Sequence, residues 1–258
     1  MPSTVVITGA SSGIGAALAR RYARDGARLA LIARNRGRLE GVAEDCRISG
    51  SSGVEVAAID VRERSALKAF LEDYDARYPV DLVIGNAGIM AGTSRDGEIE
   101  TPELSHTLME TNVLGVLNTV HPLLSGMRAR RRGQIAIIGS IAGFTPLPDS
   151  PSYAASKSAL LSYALSLREP LAGIGVRVNV VCPGYIDTPM TDQIIGRKRW
   201  MIRVEDAAEQ IHRGLERDAA VIAFPFALAC MARLSGFLPH RFRQIFAGPF
   251  RFAVGPHH

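Results

Sequence analysis

Tyr153-Ala154-Ala155-Ser156-Lys157 sets a phenol and an amine four residues apart in a stretch rich in helix formers. That spacing puts both side chains on one face of a helix. A phenol with a pKa near 10 is a poor proton-transfer group at neutral pH. A neighbouring ammonium favours the phenolate, and moving the pKa down by ~3 corresponds to about 4 kcal/mol. The pair can then exchange a proton with an alcohol or carbonyl oxygen near neutral pH. Lysine is scarce here, for among 30 basic residues only Lys68, Lys157 and Lys198 are lysines. A surface helix pair has the same spacing, so the pattern needs neighbours of matching chemistry.

One such neighbour is the turn Thr8-Gly9-Ala10-Ser11-Ser12-Gly13-Ile14-Gly15, between an apolar run and a helical one. Glycines serve where backbone must turn tightly and approach a pyrophosphate. The helix start then offers unpaired N–H groups and a positive dipole to phosphate. An ordinary turn before a small-residue helix is the competing reading. Position favours the first, because the turn follows the first strand pattern. At the end of the second apolar run a carboxylate would favour NAD by accepting from ribose hydroxyls. The chain instead reads Ala33-Arg34-Asn35-Arg36-Gly37-Arg38. Arg34 offers a cationic fork suited to a 2′-phosphate, with Arg38 in support, which predicts NADP (NADPH) over NAD. A solvated basic helix start is the plain alternative.

These motifs, in this order, resemble the short-chain dehydrogenase/reductase family over about residues 3–190. The glycine turn fits the family's TGxxxGxG, and Asp60-Val61 after the third strand fits its adenine-contacting Asp. Asn86-Ala87-Gly88 fits its NAG signature, with Gly85 where the family commonly has a first Asn. Pro183, Gly184 and Thr188 fit the loop on the nicotinamide side. The resemblance implies cofactor contacts from Gly9, Ser11, Ser12, Gly13, Ile14, Gly15, Arg34, Asp60, Val61, Asn86, Ala87, Gly88, Tyr153, Lys157, Pro183, Gly184 and Thr188. It implies a catalytic set of Asn112, Ser140, Tyr153 and Lys157. Tyr153 would be the proton donor or acceptor. Lys157 would lower its pKa and bind the nicotinamide ribose. Ser140 would polarise the substrate carbonyl, and Asn112 would order a relay water. It further implies a doubly wound Rossmann-type α/β fold and a homodimer or homotetramer packed through the helices bearing Asn112 and Tyr153. For Asn112, Ser140 and Asp60 a purely local backbone role is the alternative in each case.

The elements that must hold these groups are visible as alternating runs. Thr4–Ile7, Leu29–Ala33, Val54–Ile59, Leu82–Ile84, Ile135–Ile138 and Val176–Val181 are short and mostly aliphatic, as strands buried on both faces are. Gly13–Arg24, Arg36–Ser49, Ser65–Tyr78, Thr107–Met127 and Tyr153–Leu171 read as helices. The alternation implies crossovers and a parallel sheet with helices on both faces. The expected organisation is one domain over 1–258, with a core of 1–218 and an apolar, basic extension of 219–258.

Composition sets limits on function. With 258 residues, 47% hydrophobic and 21% charged, the chain is neither disordered nor a disulfide scaffold. Cys46, Cys182 and Cys230 are scattered, which fits a reducing compartment. His121 and His212 show no metal spacing. The start enters a strand without a basic region or cleavage site, so a cytoplasmic protein is expected.

The net charge of +5 lies largely in the tail, which has Arg233, Arg241, Arg243 and Arg251 but no acid after Asp218. Without a nucleic-acid-binding signature the expectation is no nucleic-acid partner. Leu234, Phe237 and Leu238, and again Phe242, Ile245 and Phe246, recur at helical spacing. They suit packing on the core, a partner subunit, or peripheral contact with a membrane. Phe144, Pro146, Leu147, Tyr185, Met190, Ile194, Ile195 and Trp200 suggest an apolar substrate pocket. A small-molecule carbonyl/alcohol pair is expected, lipid-like first, with sugar or polyketide-type carbonyls as competitors. A non-catalytic dinucleotide sensor and a nucleotide-sugar epimerase or dehydratase are the other classes. The intact four-residue set argues against the former, and the short region after residue 190 against the latter.

Overall fold

The computed structural model describes residues 2–196, 198, 200–239 and 252–255. In chain order the strands are β1 (Thr4–Thr8), β2 (Arg28–Ile32), β3 (Gly53–Ala57), β4 (Leu82–Gly85), β5 (Gly133–Ile138), β6 (Val176–Pro183), β7 (Ile194–Gly196), β8 (Val221–Phe224) and β9 (Phe252–Val254). The helices are α1 (Gly13–Arg24), α2 (Arg36–Ile48), α3 (Arg64–Arg77), α4 (Pro102–Met109), α5 (Gly115–Arg130), α6 (Pro151–Ala172), α7 (Pro189–Asp192), α8 (Val204–Glu216) and α9 (Phe226–Gly236).

Seven strands form one parallel sheet in the order β3-β2-β1-β4-β5-β6-β8. Alternate residues face opposite helix layers. Val5 and Ile7 join Leu29, Leu31 and Ile84 against α1, α2 and α8. Val6 joins Ala30, Ile32, Val83, Ile135 and Ile137 against α3, α5 and α6. Both faces being covered explains why the central strands read as mostly aliphatic runs.

The strand order reverses between β1 and β4, and in such sheets ligands bind beyond the carboxyl ends at that point. The glycine turn after β1 and Asn86-Ala87-Gly88 after β4 therefore flank one crevice.

The seventh strand corrects the expected division of the chain. Val221–Phe224 pairs in parallel with β6, from Val180 opposite Val221 to Pro183 opposite Phe224. The sheet thus extends into the stretch read as extension, which begins only after Phe224. Four apolar residues inside a longer apolar run carry no period that separates a strand from a helix. The tail positions Phe242, Ile245 and Phe246, and Arg241, Arg243 and Arg251, lie outside the described residues. Among the described residues no helix is long and apolar enough to cross a membrane.

Candidate active site

The crevice is fitted to a close ligand backbone. Gly9 adopts φ +65°, and a Cβ there would lie 2.8 Å from Ala87 Cα. Only glycine takes that conformation without strain and leaves that space. The Asn86 amide donates to Thr8 O at 2.9 Å and to Gly9 O at 3.2 Å. The Thr8 hydroxyl accepts from the Asn86 and Ala87 N–H groups at 3.1 and 3.3 Å. Asn86 is thus the brace of the glycine turn. The helix start behind the turn is open, since Ser12 is extended and makes no side-chain cap to α1. Gly13 lies across from Thr188, whose methyl carbon would be 3.3 Å from a Cβ on that glycine. Thr188 itself caps α7 by accepting from the Thr191 N–H at 3.4 Å. Gly184, just past β6, donates its N–H to Phe224 O at 2.8 Å, which fixes the Pro183-Gly184 turn against β8.

At the far rim Arg34 is exposed after β2, with no hydrogen bond or ion pair to its guanidinium among the described residues. Arg38 is exposed in the first turn of α2, where its N–H is capped by Asn35 at 2.9 Å. Asp60 is engaged by a residue the sequence reading passed over: Arg62 forks onto it, with Nη2 to Oδ2 at 2.7 Å and Nε to both oxygens. Burial pushes the Asp60 carboxyl up, but the Arg62 hydrogen bonds outweigh it and hold it below the usual carboxylate range. Val61 is buried, and its carbonyl accepts from Asn118 at 2.9 Å.

α6 carries the Tyr–Lys pair. Pro151 stands in its first turn, where a fixed φ and a missing N–H cost nothing. The preceding Ser150 hydroxyl donates to Ala91 O and ties the helix start to the loop after β4. Tyr153 and Lys157 share a face, with Nζ 5.5 Å from the phenol ring centroid. Lys157 is 5% exposed, and its ammonium donates to Ile138 O at the end of β5, at 3.0 Å. Burial pulls its pKa down to about 8.

Burial holds the Tyr153 hydroxyl above its ordinary pKa, and hydrogen bonding with Ser140 only partly offsets this.

Ser140 begins the loop after β5. Its hydroxyl accepts from the Ala142 N–H at 3.1 Å and donates to Pro183 O at 3.4 Å. Asn112 sits in a π-helical turn, Glu110–Leu114, between α4 and α5. Such turns re-aim a side chain and occur often at functional sites. Asn112 is fully buried; it accepts from the Ile89 N–H at 2.8 Å and donates to Ile89 O at 2.9 Å and Ser156 Oγ at 3.2 Å. A Cβ on Gly88 would stand 3.1 Å from Asn112 Oδ1 and 3.8 Å from Lys157 Nζ, so these groups converge on Gly88. One Oδ1 lone pair is left for any relay water.

Beyond Tyr153 opens a cavity of about 690 Å³. Pro146, Leu147, Tyr185, Met190 and Ile194 line it as expected. Ile195 and Trp200 do not, being 43% and 47% exposed. Phe144 instead packs under Arg233, whose guanidinium is 4.5 Å from its ring centroid. Unforeseen lining comes from Met90, Asp149, Phe252 and α9, with Leu228, Met231, Leu234 and Phe237. The apolar spacing of the tail was the one available signal for α9.

Residues 3–198 match the family model described as short chain dehydrogenase. An uncharacterized oxidoreductase from Myxococcus xanthus is 33% identical over 238 residues, covering 92% of this chain and 93% of that protein. A short-chain dehydrogenase from Sphingobium yanoikuyae, solved in complex with NADPH, superposes with a TM-score of 0.79 at 26% identity, covering 95% of each chain. A short chain dehydrogenase from Mycobacterium paratuberculosis bound to NAD does so at 0.74 and 26% identity, covering 85% of this chain and 94% of that one.

Proposed function

We propose that this chain, which belongs to the short chain dehydrogenase family of oxidoreductases, reduces an apolar ketone or aldehyde to the alcohol with NADPH. The observation that carries the reading is that Tyr153 and Ser140 line one apolar cavity, with the Lys157 ammonium 5.5 Å from the phenol ring centroid. Bound in that crevice, the nicotinamide dinucleotide would supply the hydride. Gly9, Gly13, Gly15 and the Ser11–Ile14 backbone would hold its phosphates, and Lys157 its inner ribose. Tyr153 donates the proton to the carbonyl oxygen as the general acid. Ser140 orients that oxygen with its hydroxyl. Lys157, cationic below about pH 8, balances the phenolate left behind. Arg34 supports NADP over NAD, as does the NADPH found in the Sphingobium relative.

Leu234, Phe237 and Phe226 on and beside α9 are 67%, 89% and 79% exposed, and the first two also line the cavity. With no acid after Asp218 this rim suits an anionic bilayer surface, from which a lipid-like carbonyl would enter. Leu114 and Leu165, exposed on the segments that carry Asn112 and Tyr153, support a homo-oligomer packed there.

The test is NADPH oxidation across aliphatic, steroid-like, acyl-thioester and sugar carbonyls. Turnover of apolar carbonyls is the expected result; sugar-only turnover shifts the substrate class, and none at all favours the sensor. Sedimentation with anionic vesicles should pull down the wild type more than a Phe226→Ser, Leu234→Ser, Phe237→Ser triple variant. Equal pelleting removes the membrane reading.

A further inference from the structure

β9 reaches back across the open end of the sheet. It pairs antiparallel with β7, Phe252 opposite Gly196, Ala253 opposite Ile195 and Val254 opposite Ile194. Further backbone bonds run from Val254 N–H to Thr93 O at 2.9 Å and from Gly255 N–H to Gln193 O at 2.8 Å. The Phe252 N–H donates to Asp149 Oδ2 at 3.1 Å. Asp149 is buried on the loop after β5, and its own carbonyl accepts from the Thr93 N–H at 2.8 Å. One short strand thereby ties together the three loops that follow β4, β5 and β6.

The seat for the strand is cut to size. A Cβ on Gly92 would come within 2.8 Å of Val254 Cγ2. Val254 is buried with Met90 and Ile194, and Tyr153, Tyr185, Met190 and Phe252 pack around them. Phe252 also forms part of the cavity wall that Tyr153 and Ser140 share. None of these contacts reaches the glycine crevice.

We infer that β9 is a clasp that sets the size of substrate the cavity admits, with Phe252 as its wall and Asp149 as the positioning residue that holds the Phe252 backbone. This rests on the cavity being the substrate site, as proposed above. A benzyl group in the wall narrows the space for a broad molecule and adds contact for a narrow one. Removing it reverses both effects. Losing the Asp149 acceptor leaves the benzyl group present but its strand less firmly held.

The test is calorimetric binding of 2-octanone and of a steroid ketone, with and without saturating NADP⁺. With the oxidised cofactor no ketone is reduced, so the readout is independent of turnover. Phe252→Ala should shift the affinity ratio at least tenfold toward the steroid and leave NADP⁺ affinity unchanged. Asp149→Ala should shift it the same way by less, and Asp149→Asn, which keeps a carbonyl acceptor, should restore it. An unchanged ratio, a proportional loss for both ketones, or wild type that binds neither ketone overturns the clasp. Wild type that binds the ketones with these shifts but never oxidises NADPH sustains the clasp and overturns the reductase reading alone.

Discussion

The glycine crevice and the apolar cavity stand side by side yet are held by different forces. The crevice is shaped by backbone and hydrogen bonds: Gly9 against Ala87, Asn86 onto Thr8 and Gly9, and the Thr8 hydroxyl under two amides. At such positions one residue type fits. The cavity is shaped by side-chain volume from loops after three strands, from α9 and from β9. Volume can be filled in many ways, so substitution there is tolerated and graded. Tyr153 stands where the two meet, and its replacement should produce the largest effect. Tyr153→Phe should lower kcat by about a thousandfold, the range of a lost general acid, while NADPH affinity is unchanged. Steady-state kinetics with fluorescence titration of NADPH would check this. A fall of less than tenfold would mean that the proton comes from elsewhere.

The same contrast explains what could be read from the chain without its fold. That Thr8–Gly15 and Asn86–Gly88 flank one crevice was legible because each directly follows a readable strand pattern. The sheet was legible up to β6 because strands buried on both faces are short aliphatic runs. β8 was not, since Val221–Phe224 runs on into the apolar start of α9. Phe252 and Asp149 were out of reach for another reason. They sit 103 residues apart and meet through a backbone N–H, which leaves no trace in residue type.

The burial of Lys157 has a cost which can be measured. Lys157 titrates near 8 in the fold against about 10.4 for an unfolded lysine. Between these values the unfolded chain binds more protons, so stability rises with pH across that window. Below it the charged form carries the whole penalty, about 3 kcal/mol at 1.36 kcal/mol for each pH unit. Lys157→Met removes the penalty but leaves Ile138 O without its donor, at roughly 1 kcal/mol. The nucleotide-free variant should therefore be more stable than wild type by about 2 kcal/mol at pH 7, with the advantage gone by pH 10.5. Urea unfolding at the two pH values checks it. A variant less stable at pH 7 would mean that the ammonium is better solvated than its surroundings imply, and the boundary between crevice and cavity would then be wet.

The smallest effect belongs to the outer rim of the crevice, where order gives way to solvent. Arg34 is exposed and unpaired among the described residues, while the nearby Asp60 carboxylate is taken by Arg62. A 2′-phosphate would thus meet a guanidinium free to fork onto it. Exposure sets the magnitude, since charged hydrogen bonds of ~1.5–3 kcal/mol weaken toward the lower figure in water. Arg34→Ala should weaken NADPH binding roughly tenfold and NADH binding hardly at all, and the difference should shrink as salt screens it. Titration of both nucleotides at low and high ionic strength separates the cases. Equal losses for the two would make Arg34 a general phosphate contact, and tighter binding of NADH by the wild type would reverse the cofactor preference itself.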